Sequence, residues 1–309
     1  MPASDEPRTP DDVNPADREQ VDHEAGGSDS LEPLLQEIRQ KHGQSLLAIL
    51  VYGSWLRGKR DTMLDFYVLV EDYQTLGSRW QSLMCHLLPP NVYHIHHRPD
   101  PADADNTESR AKYALLTLRR FRHAMQHDFH SYFWARFAQP CEVLYVRDDT
   151  CRAVLDDAFT HASNTFIRRV VPAMGDTFNS SDLWTQGLAL TYQCELRTES
   201  SNRGDSIYGF APDHYDDVTR HFAREHPELI QPAGHDIYTN MSGGMKRKLS
   251  GFNWWLRRIQ GKVLSLLRLC KAAFTFNDAL EYLLWKIKRH SGIYIEPTQR
   301  QLRHPLMFA

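Results

Sequence analysis

The chain has 309 residues, 41% of them hydrophobic, which suffices for roughly two domains with a buried core. Five cysteines with no C-x-x-C pair argue against a disulfide framework or zinc knuckle and favour a reducing, cytoplasmic setting. No run of 18 apolar residues exists, no hydrophobic leader opens the chain, and the net charge of −3 is unevenly spread. Residues 1–30 hold nine Asp/Glu against two Arg, whereas residues 246–309 hold thirteen Lys/Arg against three acids. A basic end on an otherwise acidic chain points to an anionic partner, either nucleic acid or a phospholipid surface.

Residues 1–30, rich in Asp, Pro, Glu, Gly and Ser, read as a disordered acidic tail. Leu31 to His42 repeats apolar residues at helical spacing, with Ser30 available as a cap. Ile49 to Tyr52 is an apolar run suited to a strand. Gly53-Ser54 breaks it, Trp55 to Arg60 can open a helix or turn, and Leu64 to Val70 reads as a second strand with one acid, Asp65. A strand, a Gly-Ser turn and a neighbouring strand with a carboxylate suit a triphosphate. The turn offers backbone N–H groups and a small hydroxyl, and the carboxylate can hold Mg²⁺ against the same phosphates.

Thr75 to Leu88 reads as a helix ended by Pro89-Pro90-Asn91, and Val92 to His96 as a third strand. His94 and His96 could face one side, but without a third ligand they read as polar residues at a strand end. Pro99 to Glu108 is a polar loop, and Arg110 to Leu118 a strand containing Lys112. Arg119 to Ala138 reads as one helix, and Cys141 to Val146 as another strand. This alternation makes 31–150 an α/β or α+β domain with a mixed sheet. From Thr150 to Leu190 the pattern is helical, broken by Pro172 and Gly175, with Ser180-Ser181-Asp182 as a cap. Asp213 to Glu225 reads as a helix and Pro227 to Gly244 as a loop, so 151–240 is expected to be a second, mostly helical domain. Residues 241–309 form a basic, Trp-rich amphipathic region. Its Trp and Leu side chains are expected at an acyl boundary and its Lys and Arg on anionic headgroups, unless the helix packs on the core.

These motifs together resemble the Tam41 family of phosphatidate cytidylyltransferases (CDP-diacylglycerol synthases), within the nucleotidyltransferase superfamily, over most of residues 46–290. Tyr52-Gly53-Ser54 is similar to the family's YGS. Met63-Leu64-Asp65-Phe66 with Val70-Glu71-Asp72 is similar to its MLDF…VDD. Lys112-Tyr113 with Tyr132, Arg136 and Pro140 resembles KYG…LYxAGRLxKP, and Asp182 to Glu199 resembles DL…LSYxGDxRM…E. The family's GRL reads Ala135-Arg136-Phe137 here, its GD reads Cys194-Glu195, and Tyr67 stands where many nucleotidyltransferases carry a second acid.

The resemblance implies a nucleotidyltransferase-fold domain, a mostly helical, winged-helix-like second domain, and transfer from CTP to phosphatidate giving CDP-diacylglycerol and pyrophosphate. It implies nucleotide contacts from Tyr52, Gly53 and Ser54, Mg²⁺ on Asp65, phosphate neutralisation by Lys112, and further phosphate contacts from Arg136 and Arg197. Structural ion pairs of the two arginines with Glu195 or Glu199 remain open, and so does a second metal ligand among Glu71, Asp72 and Glu195. The implied partner is phosphatidate in an anionic membrane surface rather than nucleic acid, and the implied place is the bacterial cytoplasm, peripheral on the inner membrane. The alternatives are a nucleotidyltransferase with another acceptor (protein, RNA or small molecule) and a non-enzymatic lipid- or nucleic-acid-binding relative.

Overall fold

The computed structural model describes residues 31–53, 55–58, 64–73, 79–97, 109–196 and 203–275. Five strands form one mixed sheet: β1 (Leu46–Tyr52), β2 (Leu64–Val70), β3 (Asn91–His97), β4 (Ser109–Thr117) and β5 (Cys141–Val146), in the order β3-β4-β2-β1-β5. Among the described strands of this sheet, only β2 and β4 pair in parallel. A parallel pair needs a crossover, and the chain supplies it through helix α2 (Arg79–Leu87) and β3.

The central strands are apolar at consecutive positions because both faces of the sheet are covered. On one face Ile49, Val51, Phe66, Val68, Tyr113 and Leu115 pack under Leu34, Leu35 and Ile38 of helix α1 (Glu32–His42). On the other, Leu50, Tyr67, Leu69, Ala114 and Leu116 pack under α3 (Leu118–His127), α4 (Trp134–Phe137) and α5 (Asp149–Val170). The single helix expected over 119–138 is thus two. Extended backbone at Asp128 ends α3, and the Asp128 carbonyl accepts from Trp134 Nε1 at 3.1 Å while its carboxylate takes Arg120 at 2.7 Å.

Beyond α5 come β6 (Thr177–Asn179), α6 (Ser180–Tyr192), α7 (Arg203–Tyr208), α8 (Pro212–Glu225), β7 (Ile230–Gly234) and β8 (Ile237–Asn240). The last two strands and β6 make a small antiparallel sheet, ordered β6-β8-β7. The segment expected as a loop over 227–244 is therefore largely a hairpin, turned at Asp236 with φ of 53°. Asn179, rather than the serines after it, caps α6 by accepting from Asp182 N–H at 2.7 Å. Trp184 lies flat on Phe166, 4.5 Å between centroids, and a Cβ at Gly187 would stand 2.5 Å from the Phe166 ring, so α5 and α6 touch only because Gly187 has no side chain. One apolar cluster runs from the sheet through Phe166, Trp184 and Tyr215 to Trp254.

Helix α9 (Gly244–Thr275) closes that cluster, and its orientation corrects the sequence expectation. Arg257, Arg268 and Lys271 were expected on headgroups, yet they turn inward. Arg257 Nε donates to the Phe129 carbonyl at 2.8 Å, Arg268 Nε to that of Pro89 at 2.9 Å, and Lys271 Nζ to that of Pro90 at 2.7 Å. The reason is geometric: Trp254, Arg257, Gly261 and Arg268 share one stripe, and Gly261 has no Cβ to strike the Cys194 carbonyl, so this stripe is the one that docks. The opposite stripe, left outside, is apolar. Met245, Leu249, Phe252, Leu256, Ile259, Val263 and Leu266 recur every three or four residues and are 40–71% exposed. No helix among the described residues is long and apolar enough to cross a membrane.

Candidate functional site

The pairing register brings the predicted residues into a single rung. Asp65 on β2 is opposite Lys112 on β4, and Lys112 is opposite His94 on β3. The β1–β2 register runs to Val51 opposite Phe66, so Tyr52 faces Asp65 at the next step. Side chains alternate along a strand, and Asp65, Lys112 and Tyr52 stand on the same face as Tyr67, Ala114 and Leu50, beneath the larger core cluster. Lys112 Nζ lies 2.8 Å from Asp65 Oδ1, with the two side chains 32% and 28% exposed. The pair therefore sits at the rim of the core, within reach of a ligand from solvent.

Gly53 ends β1 at φ of 92°, in the left-handed region, and an added Cβ would meet open space there. The bend thus needs glycine for backbone conformation and leaves room against the rung. Gly58, at φ of 79°, closes the following turn by donating to the Trp55 carbonyl at 3.0 Å. Tyr52 packs edge-on to Tyr67 at 5.3 Å, which anchors the end of β1. Ser54 and Arg197 lie outside the described residues.

Tyr67, at the position of the absent second acid, is fully buried among Phe133, Phe137 and Tyr132. Burial drives its hydroxyl pKa well up, with Tyr132 adding to the effect, so it stays a neutral phenol. Arg136 and Glu195 form an ion pair at 2.7 Å, with side chains only 12% and 16% exposed. Arg136 also donates to the Tyr132 carbonyl at 3.0 Å and stacks on that ring at 3.7 Å. Desolvation works to lower the Arg136 pKa, but Glu195 and then Tyr132 outweigh it and hold the guanidinium well above its usual value. Of the two open readings of Arg136, the ion pair is thus formed in this structure.

A divalent cation finds a partial donor set here. Among the described residues no three His, Cys, Asp or Glu side chains cluster as metal ligands. Glu71 and Asp72 lie beyond the far end of β2, about 20 Å from Asp65 at strand rise, and Glu71 meets Arg147 at 3.4 Å. Neither can share an ion with Asp65. One rim carboxylate suits Mg²⁺ when nucleotide oxygens and water complete the shell, which is how Mg²⁺ commonly binds.

Sequence reasoning missed the role of the helix that covers this face. Arg268, from α9, stacks on Tyr132 at 4.1 Å, on the ring that Arg136 also contacts. No local signal marked it, because its spacing was that of any basic helix. Nearby His130 has its pKa lowered to about 4, by burial first and then by the Arg268 charge, and stays neutral.

No protein-family model and no curated protein matches the chain. Among solved structures it is similar to a nucleotidyltransferase-like protein from Exiguobacterium sibiricum, at 10% identity and a TM-score of 0.26, covering 91% of this chain and 92% of that one. A likeness so distant decides neither fold nor function.

Proposed function

We propose that this chain is a nucleotidyltransferase that joins CTP to phosphatidate, giving CDP-diacylglycerol and pyrophosphate. The observation that carries the reading is the rung itself: Asp65 and Lys112, 2.8 Å apart, beside a left-handed glycine bend with open space around it. A phosphate oxygen of the acceptor would attack the α-phosphorus of CTP as the bond to the β-phosphate bridging oxygen breaks, releasing pyrophosphate. That oxygen is already anionic at neutral pH, so the residues need to position and neutralise rather than remove a proton. Gly53 N–H and Ser54 would hold the triphosphate, Lys112 would counter its charge, and Tyr52 would line the approach. Asp65 would hold Mg²⁺, which supplies charge neutralisation on the phosphates when bound. Arg197 is kept as a phosphate ligand, and Arg136 as one that would first have to share its carboxylate partner.

The outward stripe of α9 supports an acceptor held in a bilayer. Its exposed apolar side chains would enter the acyl boundary of an anionic, inner-leaflet surface, with exposed Lys248 and Lys262 beside them for headgroups. The order α5-β6-α6-α7-α8-β7-β8, with β8 between β6 and β7 and α7 as an added short helix, supports the winged-helix-like reading of the second unit. The test is pyrophosphate release with each of the four nucleoside triphosphates and Mg²⁺, with phosphatidate vesicles, RNA, a protein acceptor or no acceptor, and again without Mg²⁺. Turnover requiring CTP, phosphatidate and Mg²⁺ together supports the reading; turnover with RNA or protein as acceptor replaces it.

A further inference from the structure

Tyr132 carries two guanidinium groups, Arg136 at 3.7 Å and Arg268 at 4.1 Å from the ring centroid. Their situations differ. Arg136 has the Glu195 carboxylate at 2.7 Å, whereas Arg268 meets no carboxylate within ion-pair distance among the described residues. Its Nε is fixed on the Pro89 carbonyl at 2.9 Å and its plane on the aromatic ring. Its two terminal nitrogens have no acceptor among the described residues, and the side chain is only partly buried. A half-buried cation with no carboxylate at ion-pair distance is costly, and more so beside a second guanidinium that already holds the nearby Glu195. A guanidinium held by one nitrogen with its fork open is also the geometry that grips phosphate through two parallel hydrogen bonds.

The position connects to the rung described above. Tyr132 and Tyr67 both pack on Phe133, at 4.9 and 6.5 Å between centroids, and Tyr67 shares a face with Asp65 two residues along β2, about 7 Å at strand rise. On α9 itself, Leu266 and Leu267 next to Arg268 are 54% and 47% exposed. Leu266 belongs to the outward stripe, so a phosphate borne on an apolar body would meet the Arg268 guanidinium with Leu267 as its exposed apolar neighbour on the helix.

We propose that Arg268 is the phosphate-binding group of a second anion subsite, distinct from the Asp65–Lys112 rung, that takes a phosphate monoester. Identifying that monoester with the acceptor rests on the nucleotidyl-transfer reading; the subsite does not. The test uses the full chain with Arg268→Gln and Arg268→Lys, and two probes: glycerol 3-phosphate by calorimetry, and phosphatidylcholine vesicles with and without phosphatidate. Mg²⁺–CTP binding is measured alongside. Arg268→Gln should weaken binding of at least one phosphate probe about tenfold or more, as loss of a bidentate charged contact does, and leave CTP affinity within about twofold. Loss confined to phosphatidate vesicles assigns the site to a lipid headgroup, and loss with both probes to any phosphate monoester. If Arg268→Gln no longer melts cooperatively, Arg268→Lys decides, because it keeps the charge and removes the fork. Wild-type affinity for both probes in the folded variant, no affinity for either in the unmodified chain, or an equal loss of CTP binding overturns the subsite. A chain that binds the monoester through Arg268 but never binds CTP keeps the subsite and removes the nucleotidyl-transfer reading.

Discussion

Asp65 and Arg136 are both acid–base partners, and their burial makes opposite demands on a substitution. Asp65 and Lys112 are each about one-third exposed. Pairs of that kind contribute roughly 0–1 kcal/mol to stability, so Asp65→Ala should move the melting temperature little. Under the proposed chemistry the same variant should lose pyrophosphate release by about a hundredfold or more, since charge on the phosphates goes uncountered. Full turnover in a folded Asp65→Ala protein would remove Asp65 from the site. Arg136 is different, because its partner Glu195 has little solvent to fall back on. Arg136→Ala should cost about 3–5 kcal/mol by denaturant unfolding, the usual penalty for orphaning one member of a buried pair. A double variant with Glu195→Ala should recover much of that loss, and strict additivity of the two would show that the pair is not coupled.

Two histidines set an acid limit on the fold. Burial, with Lys41 adding to it, lowers the pKa of His42 to about 4, and burial next to Arg268 does the same for His130. Both native pKa values lie below the ordinary 6.5, so between about pH 6.5 and 4 the unfolded chain binds protons that the native chain refuses. Stability should fall as the pH drops through that window and be flat, for these groups, above it. Urea midpoints measured from pH 7.5 to 4.5 check this, and a smaller slope in His130→Phe would assign the share of that residue.

At the scale of elements, α9 is the informative case. Its spacing announced an amphipathic basic helix, and that much was legible in the sequence. Which stripe faced the protein was not, because Arg257 and Lys271 are satisfied by backbone carbonyls of segments more than a hundred residues away. Gly261 permits the close crossing at Cys194, so Gly261→Ala should push α9 outward and destabilise by about 1–3 kcal/mol, the range for overpacking. Phe252 and Trp255, stacked on each other at 5.7 Å and 57% and 52% exposed, contribute little to the core. Replacing both by serine should leave thermal stability nearly unchanged and cut sedimentation with anionic vesicles severalfold. Undiminished sedimentation would take the vesicle-binding face away from this stripe. The β7–β8 hairpin shows the other limit of reading by element. Its strands are short, four and five residues, and β7 contains Pro232 and Gly234, so neither β-propensity nor alternation identified them; pairing of β8 with β6 holds the hairpin in place.

For the whole molecule, the sequence by itself determined the β1 bend, the strand with one acid, and the lysine strand, because apolar runs interrupted by Gly-Ser and by single charges are local signals. The α1, α5, α6 and α8 helices were legible for the same reason. Tertiary structure alone decided that β2 and β4 lie side by side, which puts Asp65 against Lys112 across a gap of 47 positions in sequence. It alone committed Arg136 to Glu195, joined the sheet and the helical unit through one apolar cluster, and turned the charged stripe of α9 inward. The physical reason is common to all of these. Local spacing fixes which side of an element is apolar or charged, but a buried cation is placed by whichever carbonyls, rings and carboxylates the rest of the chain brings to it.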